Sequence, residues 1–542
     1  MSASKVLDPS ARPSAGPAAA DLLCPVSMGL ESPCGRLVHN APPGVDEVPV
    51  CLMHSKDPAR QDGALFDAFW AEFDWIMEAA GTGDAHFEMF VFPRLYLRKT
   101  TIDAACHFDW ATFTQYADFS GTTFARDVSF RKATFARKAD FSQAAFRQDA
   151  SFAETTFLEE ANFHPASFTQ KTYFSGASFA GDAYFDSASF GERADFTRAK
   201  FAQRVSFGQA HFAEHANFWE VSFLQEANFW KATFTAMADF GDSTFADIAY
   251  FPGTDFQGVA DCRGCRFLNK AAFRGTQFQA QDQSQPSALF SFATFANPGE
   301  VVFEDVDLSR VFFHNCDVSA VWFTSSARWA TSPGRKAVIL EETIPLHDGY
   351  GKQLQRNGER DYRAIAQIYQ QLKKNYDARL DYWTANEFHY GEMEMKRLAA
   401  PAAGPLLPLR CWWHRRLGLV ALYRSASDYG NNYHKPMLWL AGILVLFALL
   451  FPLPKAGIQR NGHIATWSSA WQPQSRIRPN LTAEAKLFGN SLLASIDTAM
   501  FQKTPEYAPA YPWGRVLAIA EVSLTSTLFA LFLLAIRRQF RR

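Results

Sequence analysis

The sequence predicts a multidomain protein: a four-sided β-solenoid, then a helical pair, then a two-helix transmembrane domain. Three observations carry this. Every phenylalanine between residues 108 and 278 falls on one lattice whose steps alternate five and six residues. After Glu359 the apolar spacing switches to three and four, the helical period. Two long apolar runs then stand near the end of the chain.

The lattice runs Phe108, Phe113, Phe119, Phe124, Phe130 and onward to Phe278, and Cys262 is its one point that is not Phe. A small residue stands two positions before each point: Ala117, Thr122, Val128, Ala133, Ala139, Ala144. Self-similarity at a fixed period means a solenoid. Eleven residues nearly close three helical turns, but residues five apart on a helix point about 140° apart. Gly121, Gly176, Gly181, Gly191 and Gly208 also weaken a long helix. A spacing of two instead puts the small residue and the Phe on one side of a short extended segment. Four such segments make a coil of about 22 residues, stacking each Phe on the next at roughly 4.8 Å.

The units ADF (117–119), ANF (161–163), ADF (194–196), ANF (216–218) and ADF (238–240) carry a resemblance. Over about 90–325 the chain resembles the pentapeptide-repeat family, whose units read A-(D/N)-(L/F)-x-x. The resemblance implies a right-handed quadrilateral β-helix, about eight coils and roughly 40 Å long for the Phe lattice alone. Residues 279–289 read as a polar loop out of phase. Phe303, Leu308, Phe313, Val318 and Phe323 resume with steps of five, over inward Val301, Val306, Val311, Cys316 and Val321. That predicts a tighter terminal coil. Upstream, Ala64–Ala80 has helical spacing and is expected to cap the first coil within 61–90, covering its strand edges. Outward positions such as Asp118, Ser129, Asn162 and Tyr184 show no uniform ligand rank.

With 542 residues, 48% of them hydrophobic, the chain can build several domains, and a net charge of −2 excludes a polyanion or polycation. Residues 1–60 are expected to be mostly disordered, with no apolar core of a signal peptide. Eight cysteines are too few for a disulfide scaffold and suit a reducing cytoplasm. Cys24, Cys34, Cys51 and His54 read as a zinc knuckle. Cys51-x-x-His54 has zinc spacing, and Cys34-Gly35 provides a turn of the kind that approaches a thiolate. In a stretch so poor in apolar residues, a metal would supply the folding energy. The alternative is free cysteines in a loop. Cys262 and Cys265 occupy inward lattice positions and read as core filling.

Residues 350–400 predict a helical hairpin, with Tyr362, Ile365, Ile368, Tyr369, Leu372 and Tyr376 on one face. His389, Glu392 and Glu394 read as a solvated helix face rather than a metal cluster. Residues 401–435 form a linker and a membrane-surface helix mixing Trp, Leu and Arg. The first apolar run is Met437–Leu453 and the second Val516–Ile536, interrupted by Glu521. Arginines and a lysine flank both (Arg415, Arg416, Arg424, Lys435; Arg537, Arg538). The positive-inside rule therefore predicts two spans in the inner membrane with both termini cytoplasmic.

Between the runs, Glu484–Met500 reads as an amphipathic helix. Span, short helix, loop, span is the order of the pore module in tetrameric potassium-type channels. Residues 436–542 resemble it through SLLASIDTAM (491–500), WGR (513–515) and the basic tail. The resemblance implies a homo-oligomer, a tetramer, with Thr498, Met500, Gln502, Glu506 and Glu521 along an ion path. The filter pattern departs from the family: both glycines are missing, and Lys503 puts a cation near the path. Glu521, the one carboxylate in a span, is either functional, hydrated near the interface or paired with Arg515. The expected function is a channel-like membrane protein with a cytoplasmic β-helix; the alternative is a non-conducting tethered scaffold with protein partners on its rod. No enzymatic site is read, and no nucleic-acid partner, since basic residues such as Arg126, Arg131 and Lys132 intersperse with the acids.

Overall fold

The computed structural model describes residues 23–28, 32–42, 44–280, 285–345, 351–356, 359–399, 407–453, 456–460, 463–467, 481–500 and 508–539. The chain divides into two units, Met1–Gly358 and Glu359–Arg542.

Unit 1 is a four-sided β-solenoid. Its strands are two to five residues long and form four parallel sheets of 9, 11, 10 and 11 strands, hence about 11 turns. Phe135 pairs with Phe157 and Ala139 with Ala161, each one full coil further along the chain. The phenylalanines stack in columns as their period requires: Phe141 to Phe163 at 4.9 Å and Phe163 to Phe185 at 4.8 Å, nearly coplanar. Between columns they meet edge to face, as Phe163 and Phe174 do at 5.4 Å. Both geometries suit the aromatic quadrupole, at about 0.5–1.5 kcal/mol per pair beyond the area buried. All the lattice phenylalanines from Phe108 to Phe278 are buried.

The alternating steps make two kinds of corner. Five-residue corners are tight turns, closed by bonds such as Ala133 N–H to Phe130 O (2.9 Å). Their third residue has positive φ at one such corner after another, at Gly121, Lys132, Gln143, Glu154 and on to Gly275. The exception in that run is Pro165, whose ring forbids it. Six-residue corners need no such residue. The Asp or Asn before the Phe also has a task. Asp140 accepts from Ser142 N–H (2.9 Å) and Asn228 from Trp230 N–H (2.9 Å), closing the mouth of the tight turn. Inward hydroxyls bond the coil below: Thr155 donates to Phe130 O (2.6 Å) and Thr254 to Phe229 O (2.8 Å). Cys265 does the same toward Phe240 O (2.9 Å), and burial pushes its thiol up. It is a packing group, as its lattice position predicts.

Both ends of the rod extend beyond the Phe lattice. Asp84–His86 pairs with Ala105–His107, making a first coil slightly shorter than those that follow. The out-of-phase loop is shorter than expected. Ala288–Leu289 already forms a strand on Ala260–Asp261, and Phe295 stacks on Phe267 at 5.3 Å. Ala288-Leu-Phe290 repeats the small-x-Phe spacing, which is why the coil closes there. The last coil is tighter: Val302 pairs with Trp322, a shorter step than that from Phe135 to Phe157.

Helix α1 (Gly63–Ala80) covers the first coil with Phe69, Phe73 and Ile76; Phe73 stacks on Phe87 at 4.7 Å. At the other end, Trp329 meets Phe323 edge-on (5.3 Å), and the short helix α2 (Leu340–Thr343) follows a hairpin at Ala330–Val338. Glu341 is fully buried there and accepts from Phe313 N–H (2.5 Å). Burial pushes its carboxyl up to about 7, outweighing two backbone hydrogen bonds.

In unit 2, α3 (Tyr362–Ala378) and α4 (Tyr382–Leu398) form a hairpin. Asp361 and Asp381 cap them by accepting from the N–H groups of Ala364 and Thr384 (both 3.1 Å). The apolar face of α3 packs on Phe388, 5.3 Å from Tyr376. The surface helix expected within 401–435 is two helices, α5 (Leu407–Leu417) and α6 (Leu419–Ser427), parted at Gly418. Helix α7 (His434–Leu450), α8 (Leu481–Ala499) and α9 (Pro512–Gln539) pack together around Phe447, Leu487 and Ala494. A three-stranded sheet joins Ile458–Arg460 to His463–Ala465 and Ala508–Pro509.

Among the described residues one helix, Pro512–Arg538, is long and apolar enough to cross a membrane. The span expected at Met437–Leu453 differs. Helix α7 is apolar but 17 residues long, about 26 Å against a hydrocarbon core of about 30 Å. Pro452, two residues past its end, cannot continue it.

Glu341 sets a pH dependence. Its carboxyl is raised in the folded chain, so the folded state holds a proton that the unfolded state releases between about 4.5 and about 7. The C-terminal coil therefore loses stability as pH rises through that window and stays at the lower level above it. Hydrogen exchange at Phe312 and Phe313 reads this out: protection falls from pH 5 to pH 8 in the native chain, and Glu341→Gln removes the dependence.

Candidate metal centre

Cys24, Cys34 and the Cys51–His54 pair meet in one buried cluster whose ligand atoms lie within 4.8 Å of one another. The gap between Cys24 and Cys34 is spanned by an antiparallel hairpin, Ser27–Met28 on Ser32–Pro33. In its register Cys24 N–H donates to Arg36 O (2.8 Å) and Cys34 N–H to Val26 O (2.9 Å). The two cysteines are diagonal neighbours on one face. Val38 bridges to Cys51, and the turn after it brings His54 N–H to Cys51 O (3.1 Å).

The separations fit a tetrahedral ion. A zinc with sulfurs near 2.3 Å sets them about 3.8 Å apart; Cys34 and Cys51 sulfurs are 3.7 Å apart. His54 Nδ1 lies 3.4 Å from the Cys24 sulfur and 3.2 Å from that of Cys51. Its Nε2 stands 3.2 Å from Glu88 O. That carbonyl takes the Nε2 proton and leaves Nδ1 as the lone-pair donor, the usual second contact of a metal-ligating imidazole. Arg36 Nη1 reaches the Cys34 sulfur at 3.5 Å, its Nε donates to Glu72 (2.7 Å), and its guanidinium lies over Phe90. One cation beside three thiolates and a divalent ion leaves the site near neutral.

With no ion between them, Cys34 and Cys51 share one proton. The Cys51 hydrogen bond, aided by His54 and Arg36 against the cost of burial, pulls the Cys34 thiol down to about 3. The same bond pushes Cys51 up. Four protein donors leave no open position, so an ion here would be structural rather than catalytic. The cluster joins the first coil through Val91 N–H to Met53 O (2.8 Å). Arg60 bonds Ser55 O and Val91 O and lies over the Phe69 ring. Arg36, Glu72 and Glu88 carry no sequence signal of this role, since their parts depend on register rather than spacing. Residues 1–22 of the expected disordered segment lie outside the described residues.

The residues read as an ion path are only partly described. Glu521 is fully buried among α7, α8 and α9, and its partner is Ser495, not Arg515. Ser495 also reaches Leu444 O (3.1 Å) on α7. The hydrated alternative is thereby replaced by a buried one. Thr498 turns back on its own helix, donating to Ala494 O (2.7 Å), and Met500 is exposed. Gln502 and Glu506 lie outside the described residues. Sequence reasoning misses Ser495, although Ser491-x-x-x-Ser495 puts two hydroxyls one turn apart on this amphipathic helix.

The supposed solvated face of α4 is not solvated. His389 and Glu392 are buried, and Glu392 pairs with Lys396 (2.5 Å). Glu394 binds Arg397 (2.6 Å), Arg424 (3.1 Å) and the Tyr429 hydroxyl (2.8 Å). Burial pushes Glu392 up, but His389 and Lys396 outweigh it and hold it near 2.

One surface rank on the rod also escapes the sequence reading. The residue after every fourth lattice point is apolar through eight coils: Ala136, Leu158, Ala180, Ala202, Leu224, Ala246, Leu268 and Ala296. Each donates its N–H into the coil before it, as Leu224 does to Phe201 O (2.9 Å). The three leucines are 38–50% exposed. Beside this stripe, charges pair between coils: Arg137 with Glu159 (2.6 Å) and Lys138 with Glu160 (2.8 Å).

Residues 165–211, 187–233 and 218–266 match the family described as pentapeptide repeats (9 copies). No curated protein and no solved structure matches the chain.

Zinc content tests the centre. The purified full-length chain is expected to hold one zinc, and its cobalt-substituted form to show the visible bands of a thiolate tetrahedron. Cys51→Ser should lose both. Chelation should release hydrogen-exchange protection at Phe87–Phe92 and leave Phe174–Phe229 protected.

Proposed function

We propose, from a rod built of pentapeptide repeats joined in one chain to an apolar helical unit, that this protein is a membrane-tethered scaffold. The rod binds another polypeptide through its apolar stripe. That stripe is the observation that carries the reading: eight coils keep an apolar residue at one exposed corner, and beside Ala136 and Leu158 the charges pair with one another. Nothing in the fold demands it, since the equivalent rank on the opposite sheet reads Arg147, Thr169, Gly191, Ala213, Thr235. Exposed apolar residues in register form a linear patch of the kind that marks protein contacts. The interior offers no alternative, being filled by Phe columns. The cross-coil ion pairs leave no face of one charge sign, so nucleic acid is not the partner. The chain acts by binding rather than by catalysis.

Helices α7 and α9 supply the tether. Leu438 is 72% exposed and Ile519 67% exposed, values that suit lipid rather than water. In this reading both are spans of a hairpin in the inner membrane, with their basic flanks cytoplasmic. The short α7 is accommodated by local thinning of the bilayer.

A photo-crosslinking residue at Leu224 in the full-length chain, expressed in cells, tests the scaffold. The expected result is a cross-linked polypeptide in carbonate-washed membranes, lost when Leu158 and Leu268 are both changed to Asp. No more adduct at Leu224 than at Gln209, or release of the chain by carbonate, would overturn it.

A second reading, a conducting tetramer, is favoured by one observation: Glu521 lies buried beside Ser495 between three apolar helices. Intramembrane carboxylates of this kind mark ion or proton paths. Reconstituted into planar bilayers, the chain would carry a cation current that Glu521→Ala reduces; silent bilayers with folded oligomers would rule the pore out.

A further inference from the structure

We propose that unit 2 holds a binding site for the phosphate of an anionic phospholipid headgroup, in a basic cavity between α4, α5, α6 and the start of α7. The inference rests on the membrane reading above and goes beyond it by naming the lipid class. The cavity has a volume of about 600 Å³ and is lined by Arg397, Arg415, Arg416, Arg424 and Lys435, with Asp428 as its one carboxylate.

Acids hold three of these cations in place. Glu394 is shared by Arg397 (2.6 Å) and Arg424 (3.1 Å), and Lys435 pairs with Asp428 (2.7 Å). Arg397 also donates to Arg415 O (2.8 Å), and Arg415 Nε to Leu398 O (3.2 Å), which ties α4 to α5 through the backbone. Arg397 and Arg424 share the single carboxylate of Glu394, and Arg416 adds a further charge, so positive charge is in excess around one concavity. Like charges so confined repel, and an anion seated among them relieves the repulsion. Guanidinium groups match phosphate oxygens in pairs, which favours phosphate over a carboxylate or halide.

The surroundings favour a lipid as its source. On the same helices Trp412 and Trp413 are about half exposed, Leu419 is 86% and Leu422 51% exposed. Trp439, one turn into α7, donates its indole N–H to Ser425 O (3.1 Å) beside the cavity. Tryptophan and leucine next to clustered arginine is the composition of a membrane interface, where acyl chains lie against the apolar residues and the phosphate against the cations. Lys435 sits in the first turn of the apolar α7, so the cavity opens where a headgroup would lie.

The test uses the purified full-length chain in neutral detergent with soluble short-chain lipids. Dioctanoyl phosphatidylglycerol is expected to bind and raise Tm, and dioctanoyl phosphatidylcholine to do neither. Arg416→Glu and Lys435→Gln, examined separately, should each weaken phosphatidylglycerol binding by roughly fivefold to tenfold, with Tm in lipid-free detergent unchanged. Arg198→Gln, on the rod, should leave binding unaltered. Equal binding of the two lipids, or no loss in either variant, would overturn the site. Inorganic phosphate matching phosphatidylglycerol at equal concentration would overturn the lipid as the source. The membrane reading fails separately, if the chain does not partition into phosphatidylcholine vesicles.

Discussion

The rod depends on one constraint: every coil is satisfied only by the coils above and below it. Its strands are too short to form a sheet alone, so each backbone group must find its partner one coil away, as Phe135 finds Phe157. A one-residue slip would move Phe outward and the Asp or Asn inward on every face. This explains why irregularity is confined to whole corners. The insertion before Ala288 lengthens one coil yet returns Ala288 to its place on Ala260. It also explains why the tight corners accept Lys132, Gln143 and Glu154 at positive φ, a strain of roughly 1–2 kcal/mol each. The stacked coil over-determines the turn.

The same constraint leaves two ends without partners, and the protein treats them differently. At the C-terminal end the cover is covalently adjacent and apolar, with Trp329 on Phe323 and Glu341 receiving Phe313 N–H. That acceptor stabilises an orphan donor but places a carboxyl where water cannot reach, and its raised pKa follows. At the N-terminal end α1 lays Phe69 and Phe73 on the first coil, and the segment from Cys24 to His54 fills the remaining corner. This segment has too few apolar residues to hold itself, and an ion bound by its four ligand atoms would supply what a core cannot.

Legibility in the sequence follows from how local each feature is. The Phe columns, the coil period and Cys265 as filler are readable because the same spacing recurs along the whole rod. Cys24, Cys34, Cys51 and His54 are readable as residue types, but the hairpin that pairs Cys24 with Arg36 is a matter of register, which spacing does not reveal. The apolar stripe is legible in principle at the residue after every fourth Phe. It escapes notice because three leucines among alanines look ordinary until the coils are stacked. Least legible is the face of α4. Charged residues read as solvated, whereas Glu394 is satisfied by Arg424, a partner on another helix, and long-range ion pairs have no sequence period.

Unit 2 divides its charges by depth. Glu521, inside the helix cluster, has the hydroxyl of Ser495 for company. The arginines instead gather around Glu394 and Tyr429, where Arg538 at the far end of α9 donates to Tyr429 O (2.6 Å). That bond ties the last turn of α9 to the segment just before α7, so both apolar helices share one basic end. A carboxylate deep in apolar surroundings is costly, whereas cations at a helix end beside exposed tryptophan are favourable at a lipid boundary. The two placements describe the same axis from its middle and from its edge. In the proposed membrane reading they give the apolar helices a direction that their lengths alone do not.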